Sequence, residues 1–563
     1  MPSPAGPLRK AYRRAVSMAA VVLFAATACT APPLPGPDAS ASATTPPAET
    51  TFNFGTGTDP LGFDPALVAD TESYRVTRQV LEGLLTIDPV TGAPAPSLAT
   101  SWKQLDGGLS YNFKLRGGVK FHDGTDFDAA AVCTNFERWY ALTSDTRADG
   151  SSAMFKQVFR EFSDNPQNSL YKGCTVDGPL EVTLGLKMRL TGFLDALTLP
   201  AFAISSPTAL KLGTANVLDK SFSANKVSSY ALHPVGTGPF RFVSAAPGTV
   251  TMAANKDYWG EKSQITTLKF TTFEQPETRF AALDDGTLDG FDPVTPSNFD
   301  KLIKGGKQVL QRDPFSVMYL GINQKIPVMA ELEVREAIAA AVNKTTLASN
   351  YFIAGTATTA QFIPPKLSGF NNGVEGIPYD PQKAKDLLAA SKYNGEELKF
   401  YYPVNAARTY LPSPEKVYAQ IATELTAIGL NIKPVPVPWN DGYLNAVTKD
   451  TDHALSLLGW NGSYADPDNF VGPIFGSPSA ELGMNDPQLV SKITRARSLP
   501  NGPERVAAYE SISKQLAATV PAVPIAFPIS AVALSDKVLS YPLSPVLNEV
   551  FNHVKLTPAP PTG

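Results

Sequence analysis

The chain has 563 residues, 48 basic and 52 acidic side chains and a net charge of −4, a mild acidity that leaves no electrostatic footprint for nucleic acid. Its length exceeds what one hydrophobic core serves, which favours two or more lobes. Abundant Pro, Gly, Phe and Tyr suit a mixed α/β protein rich in loops.

Arg9, Lys10, Arg13 and Arg14 precede an uncharged apolar run from Ala15 to Ala28, the pattern of a secretory signal peptide (1–28) rather than a spanning helix. Cys29 follows Ala26-Thr27-Ala28 as the acylated cysteine of a bacterial lipobox does, with Ala26 where such sites usually carry Leu. Residues 29–50 are dominated by Ala, Pro, Ser and Thr and are expected to form a lipidated, disordered tether. Removing residues 1–28 takes away four basic groups and no acidic ones, leaving 44 against 52, or −8. Beyond residue 51 no apolar stretch approaches the roughly 20 residues needed to cross a bilayer. The folded part is therefore expected to be extracytoplasmic, with its lipid anchoring it to the cell membrane. Of the remaining cysteines, Cys133 and Cys174 are expected to pair, as thiols in exported chains do, against the alternative of two buried thiols.

In chain order, the apolar spacing of Val80, Leu81, Leu84 and Leu85 predicts a short helix over 76–85, ending near Gly83. Tyr111 to Leu115 alternates as a strand, Asp123-Gly124 supplies a turn, and Ala129 to Trp139 reads as a helix. Val182 to Leu186 is a second strand, followed by apolar helix or loop from Phe193 to Phe202. His233 to Phe242 crowds two prolines and two glycines ahead of an alternating strand, which makes it a constrained turn entering a sheet. Glu333 to Val342, Pro381 to Lys392 and Pro414 to Ile428 have helical spacing. The last is bracketed by strands Leu398 to Tyr402 and Ile432 to Val437, a βαβ order.

Several pieces carry a resemblance in a fixed order: Pro96-Ser97-Leu98-Ala99-Thr100-Ser101-Trp102, then Tyr111 to Gly124, Pro234 to Phe240, Asn255 to Gly260 and Val334 to Ile338. Together they resemble the large extracytoplasmic solute-binding proteins of ABC importers, the family that includes dipeptide, oligopeptide and nickel binders. Ala131 departs from the Asp common there. The resemblance implies an α/β, two-lobe periplasmic-binding-protein-like fold of the large class II kind, with an extra subdomain inserted in lobe I. The expected divisions are 51–87, 226–316 and 527–563 for lobe I, 88–225 for the insert and 317–526 for lobe II. It also implies a monomer that captures a peptide or peptide-like solute by hinge closure and delivers it to permease subunits with a separate ATPase, with no cofactor of its own.

The loop Gly459 to Phe470 is the most informative segment. In the dipeptide-binding branch, the residue three places after this loop's tryptophan is an aspartate that anchors the ligand's ammonium; here it is Ser463. A hydroxyl cannot replace that charge, so N-blocked peptides, peptide-derived molecules and uncharged polar solutes enter the field. Asp466 and Asp468 lie close enough in sequence to compensate, although the resemblance implies that this Asp-Pro-Asp stretch is largely structural. Arg408 resembles the branch's arginine for a C-terminal carboxylate, and Trp460 stands where it would wall the ligand. Tyr402, Trp439, Tyr443 and Tyr74 are further aromatic candidates at strand or loop ends. A receptor for a secreted peptide signal remains an alternative. An extracytoplasmic hydrolase using Asp466 or Asp468 is disfavoured, because no G-x-S-x-G elbow, P-loop or clustered histidines appear.

Overall fold

The computed structural model describes residues 50–89, 91–147, 153–219, 227–449 and 452–557. The leader, Cys29 and the tether up to residue 49 lie outside them. Among the described residues no helix is long and apolar enough to cross a membrane.

Three sheets organise the chain. In lobe I, Thr51–Thr56 alternates exposed or half-buried with buried positions at its start, placing Phe52 and Phe54 in the core with no exposure. It pairs in parallel with Thr267–Thr272 on one side and Gly290–Phe291 on the other. The hairpin of Phe240–Ala246 and Thr249–Ala254 extends the first side, and Ala531–Leu534 with Gln308–Gln311 completes a seven-stranded sheet. Phe551, near the C-terminus, closes the core edge-on against Phe54 at 5.2 Å.

The inserted segment makes its own antiparallel four-stranded sheet from Ala99–Leu105, Ser110–Leu115, Glu181–Leu186 and Tyr171–Gly178. The helix Ala129–Tyr140 packs on it, with the Phe136 ring 4.7 Å from Trp139 and 6.4 Å from Phe202. A disulfide between Cys133 and Cys174 ties that helix to the sheet across 41 residues.

Lobe II centres on Ser316–Ile322, antiparallel to both Leu455–Asn461 and Ala522–Phe527. Glu397–Val404 and Asn431–Pro438 pair in parallel around the helix Pro414–Ala427, the βαβ unit that the spacing of Val417, Ile421 and Leu425 predicts. Two crossings join the lobes, 311–316 and 527–531. They run together, Arg312 N donating to Ser530 O at 2.8 Å.

One element differs from its expected place. The helix spans Thr71–Val80, not 76–85, because Asp70 caps it: its Oδ1 accepts from Ser73 N at 2.8 Å. Leu81, Leu84 and Leu85 are buried just beyond it, where the chain turns into short strands at Glu82–Gly83 and Leu85–Ile87. A run of buried residues has no polar face, so its period reads equally as helix or strand. The glycines of the 233–242 turn explain its sequence: a Cβ on Gly236 would stand 2.3 Å from Val80 O, and one on Gly238 2.6 Å from Gln79 O.

Candidate functional site

The strand Leu455–Asn461 delivers Trp460 to the end of lobe II facing lobe I. Gly459 lets Tyr410 lie across it, since a Cβ there would be 2.3 Å from that ring, and Gly462 makes the same allowance for Phe315 and Phe470. Ser463 is half-buried, and its N–H donates to Asn469 Oδ1 at 2.7 Å. Tyr464 then leaves lobe II altogether and is buried within the aromatic core of the inserted subdomain. The same seam carries Thr191 N donating to Arg497 O at 3.1 Å and Arg160 Nη2 donating to Thr494 Oγ1 at 3.4 Å, so the inserted segment and lobe II touch here.

Asp466, expected at the ligand, is instead engaged in holding this loop. It is 4% exposed, accepts from Asp468 N at 2.8 Å and pairs with Arg505 at 2.8 Å. Asp468 pairs likewise with Arg497 at 2.7 Å and accepts from Tyr509 at 3.3 Å. Burial pushes the Asp468 carboxyl above the usual range, against the pull of Arg497. Neither acid is available to take the role absent at Ser463.

Arg408 sits in a turn closed by its own backbone, with Arg408 and Leu411 exchanging both N–H···O bonds at 3.0 Å. Thr409 Oγ1 donates to Asn461 Oδ1 at 2.9 Å, fixing that turn beside Trp460. The Arg408 guanidinium lies 3.8 Å from the centre of the Trp439 ring, a cation–π contact. Its Nε is sealed from solvent without a partner, as is Trp460 Nε1. Burial lowers the Arg408 pKa, opposed by Tyr410 and by two acids across the cleft in lobe I, Glu72 and Asp70. Glu72 is held by Arg75 at 2.8 Å. Asp70 uses Oδ1 for its cap, while Oδ2 is buried with no partner.

The remaining aromatic candidates divide. Tyr74 stands on the same lobe I helix as Glu72, its hydroxyl donating to Val68 O at 2.6 Å. Tyr402 stacks on Tyr418 at 3.7 Å, against the core of lobe II. Tyr443 has no exposure and donates to Leu457 O at 2.6 Å; it belongs to the core, and its placement among ligand-facing residues is corrected. Asp70, which is not among the expected site residues, is the N-cap of the helix Thr71–Val80. An Asp ahead of a helix is its signal, and an expected helix start at residue 76 hides it. At the crossings, Phe315, Ser316, Thr409, Asn461 and Ser530 help line a cavity of about 20 Å³, the scale of a single water.

Three of the four histidines make polar side-chain contacts within the fold. His122 Nε2 lies 2.9 Å from Gly238 O, and burial drives its pKa down to about 4. His453 Nε2 lies 2.8 Å from Glu481 O, and His553 meets Glu261 at 3.1 Å. Among the described residues no group of His, Cys, Asp and Glu could hold a metal ion.

A family model described as bacterial extracellular solute-binding proteins, family 5 Middle, matches residues 93–481. Heme-binding protein A of Haemophilus influenzae is 28% identical over 528 residues, covering 90% of this chain and 92% of that protein. The dipeptide-binding protein of Escherichia coli is 26% identical, covering 88% and 93%. Among solved structures, the periplasmic binding protein DppA of Helicobacter pylori in complex with peptide STSA superposes with a TM-score of 0.78 at 25% identity, covering 90% and 98%. The dipeptide-binding protein of Pseudoalteromonas sp. SM9913 in complex with Met-Leu gives 0.80 at 22%, covering 90% and 100%, a likeness of fold.

Proposed function

The chain belongs to the bacterial extracellular solute-binding proteins of family 5, and on that footing we propose that it captures a peptide or peptide-like solute between its lobes and delivers it to the permease of an ABC importer. The observation that carries this reading is Arg408, a cation laid on Trp439 with its Nε buried and unpartnered, facing the opposite lobe. A guanidinium in that setting is suited to a carboxylate, which it holds through two donors in a fixed fork. Trp460, Trp439 and Ser463 would wall the ligand beside it, with Tyr74 contributing from lobe I. Relatives named for dipeptides support peptides as the ligand class.

Residues 51–87, 226–316 and 527–563 as lobe I, 88–225 as the insert and 317–526 as lobe II form part of the reading, supported by the separation of the seven-, six- and four-stranded sheets. So does an acylated Cys29 on a tether, which would keep a monomeric binding protein at the outer face of the cell membrane near its permease. Ligand contacts made to both lobes would favour closure. Binding of a non-peptide solute is the second reading, favoured by the similarity to a protein named for heme.

Native mass spectrometry of the purified protein tests the proposal: one peptide-sized ligand per chain is expected, and retention solely of non-peptide solutes would overturn it. Replacing Arg408 with Gln should weaken a dipeptide with a free carboxylate by about 2–5 kcal/mol and leave its C-terminal amide nearly unaffected. Equal loss for both would remove Arg408 from the carboxylate role.

A further inference from the structure

Position 463 lacks the carboxylate expected to meet a ligand's cation, and the neighbouring acids are engaged, Asp466 by Arg505 and Asp468 by Arg497. On the opposite wall, Glu72 is held by Arg75, while Asp292 and Glu549 are held by Arg312 at 2.7 Å. Asp195, at the seam with the insert, faces another acid: burial and the nearby Asp466 push it up to about 7. Asp70 is different. One oxygen caps the helix Thr71–Val80, and the other is buried without a hydrogen-bond partner. Arg408, whose Nε is also unpartnered, is near enough for its charge to favour the ionised Asp70, and it sits in the turn that Thr409 fastens beside Trp460.

We propose that Asp70 is the anion for the ligand's ammonium, so that the anchor sits on lobe I and faces Arg408 on lobe II. This rests on the reading of the cleft as a peptide site and specifies its ligand as a zwitterion with a free amine. A buried carboxylate oxygen with no donor is costly to leave unmade. An ammonium with three donors would satisfy it without disturbing the cap, because the cap uses the other oxygen. Placing the two charge anchors on opposite lobes has a mechanical effect: a ligand must engage both lobes to satisfy both its ends, so charge recognition and closure become one event. Burial already raises the Asp70 pKa, opposed by Ser73 and Arg408, the direction expected of an acid lacking its countercharge.

Calorimetry with Met-Leu and N-acetyl-Met-Leu tests this, using the whole secreted chain and its Asp70→Asn variant; Asn caps a helix as well as Asp does. The wild type should prefer the free amine by about tenfold or more, and D70N should bring the two affinities within about threefold by weakening Met-Leu alone. A wild type that binds both equally, or a D70N protein that keeps the preference, overturns the inference and leaves the peptide reading standing. Loss of both ligands in D70N alone assigns Asp70 to the fold and overturns it too. Binding of neither by the wild type removes the peptide reading along with it.

Discussion

Arg505 Nη2 lies 2.8 Å from both carboxylate oxygens of Asp466, with both side chains almost wholly buried. Removing one member of such a pair leaves the other charge buried alone, at a cost of about 3–5 kcal/mol. Arg505→Ala should therefore lower the unfolding free energy by that amount in urea titrations. A ligand anchor would behave otherwise, losing affinity while unfolding at the wild-type midpoint.

Tyr464 belongs to lobe II by sequence and to the inserted subdomain by packing. Its truncation to Ala should weaken closure by about 3 kcal/mol, the scale of emptying a buried aromatic site. Small-angle scattering should then show a larger radius of gyration without ligand, and Tyr464→Phe, which keeps the ring, should stay near wild type. An unchanged radius in the Ala variant would contradict this.

The Cys133–Cys174 bridge encloses 41 residues of separation, for which unfolded-chain entropy gives up to about 4 kcal/mol. A Cys133→Ser, Cys174→Ser double variant should unfold earlier by that order. Dithiothreitol should have the same effect on the wild type and none on the variant.

Glu481 is 8% exposed in lobe II, with Oε1 unpartnered and Oε2 3.3 Å from the Tyr319 hydroxyl. Burial pushes its carboxyl from 4.5 up to about 7. Below pH 4.5 it is protonated in both folded and unfolded chains. Between 4.5 and 7 the folded chain holds the extra proton, so stability falls as pH rises, by roughly 3 kcal/mol in all. Glu481→Gln should flatten this slope and be more stable than wild type at pH 8; parallel pH profiles for the two proteins would refute it.

The sequence made the architecture legible wherever one face of an element was polar. Val417, Ile421 and Leu425 mark the lobe II helix because exposed residues lie between them, and Gly236 and Gly238 mark a turn because nothing larger fits against the preceding helix. Leu81, Leu84 and Leu85, all buried, extend the apolar spacing past the true end of the lobe I helix and so hide its start at Asp70. At the site, the Gly459 to Phe470 loop is legible as a segment and its Asp-Pro-Asp stretch, by resemblance, as largely structural, but the partners of its acids are not legible. Arg497 and Arg505, which hold Asp468 and Asp466, come from helices about 30 to 40 residues further on, and local spacing carries no trace of such long-range pairing. The engagement of Tyr443 by a strand carbonyl was hidden for the same reason.

The helix that begins at Asp70 also carries Arg75, which reaches Glu72 at 2.8 Å, Asp292 at 3.5 Å and Glu549 at 3.8 Å. Those last two acids hold Arg312 within the first crossing to lobe II. All five groups are nearly sealed from water, and none belongs to lobe II. The helix behind Asp70 and the first connection between the lobes are thus one braced frame, so a load placed on that helix is carried straight into the connection.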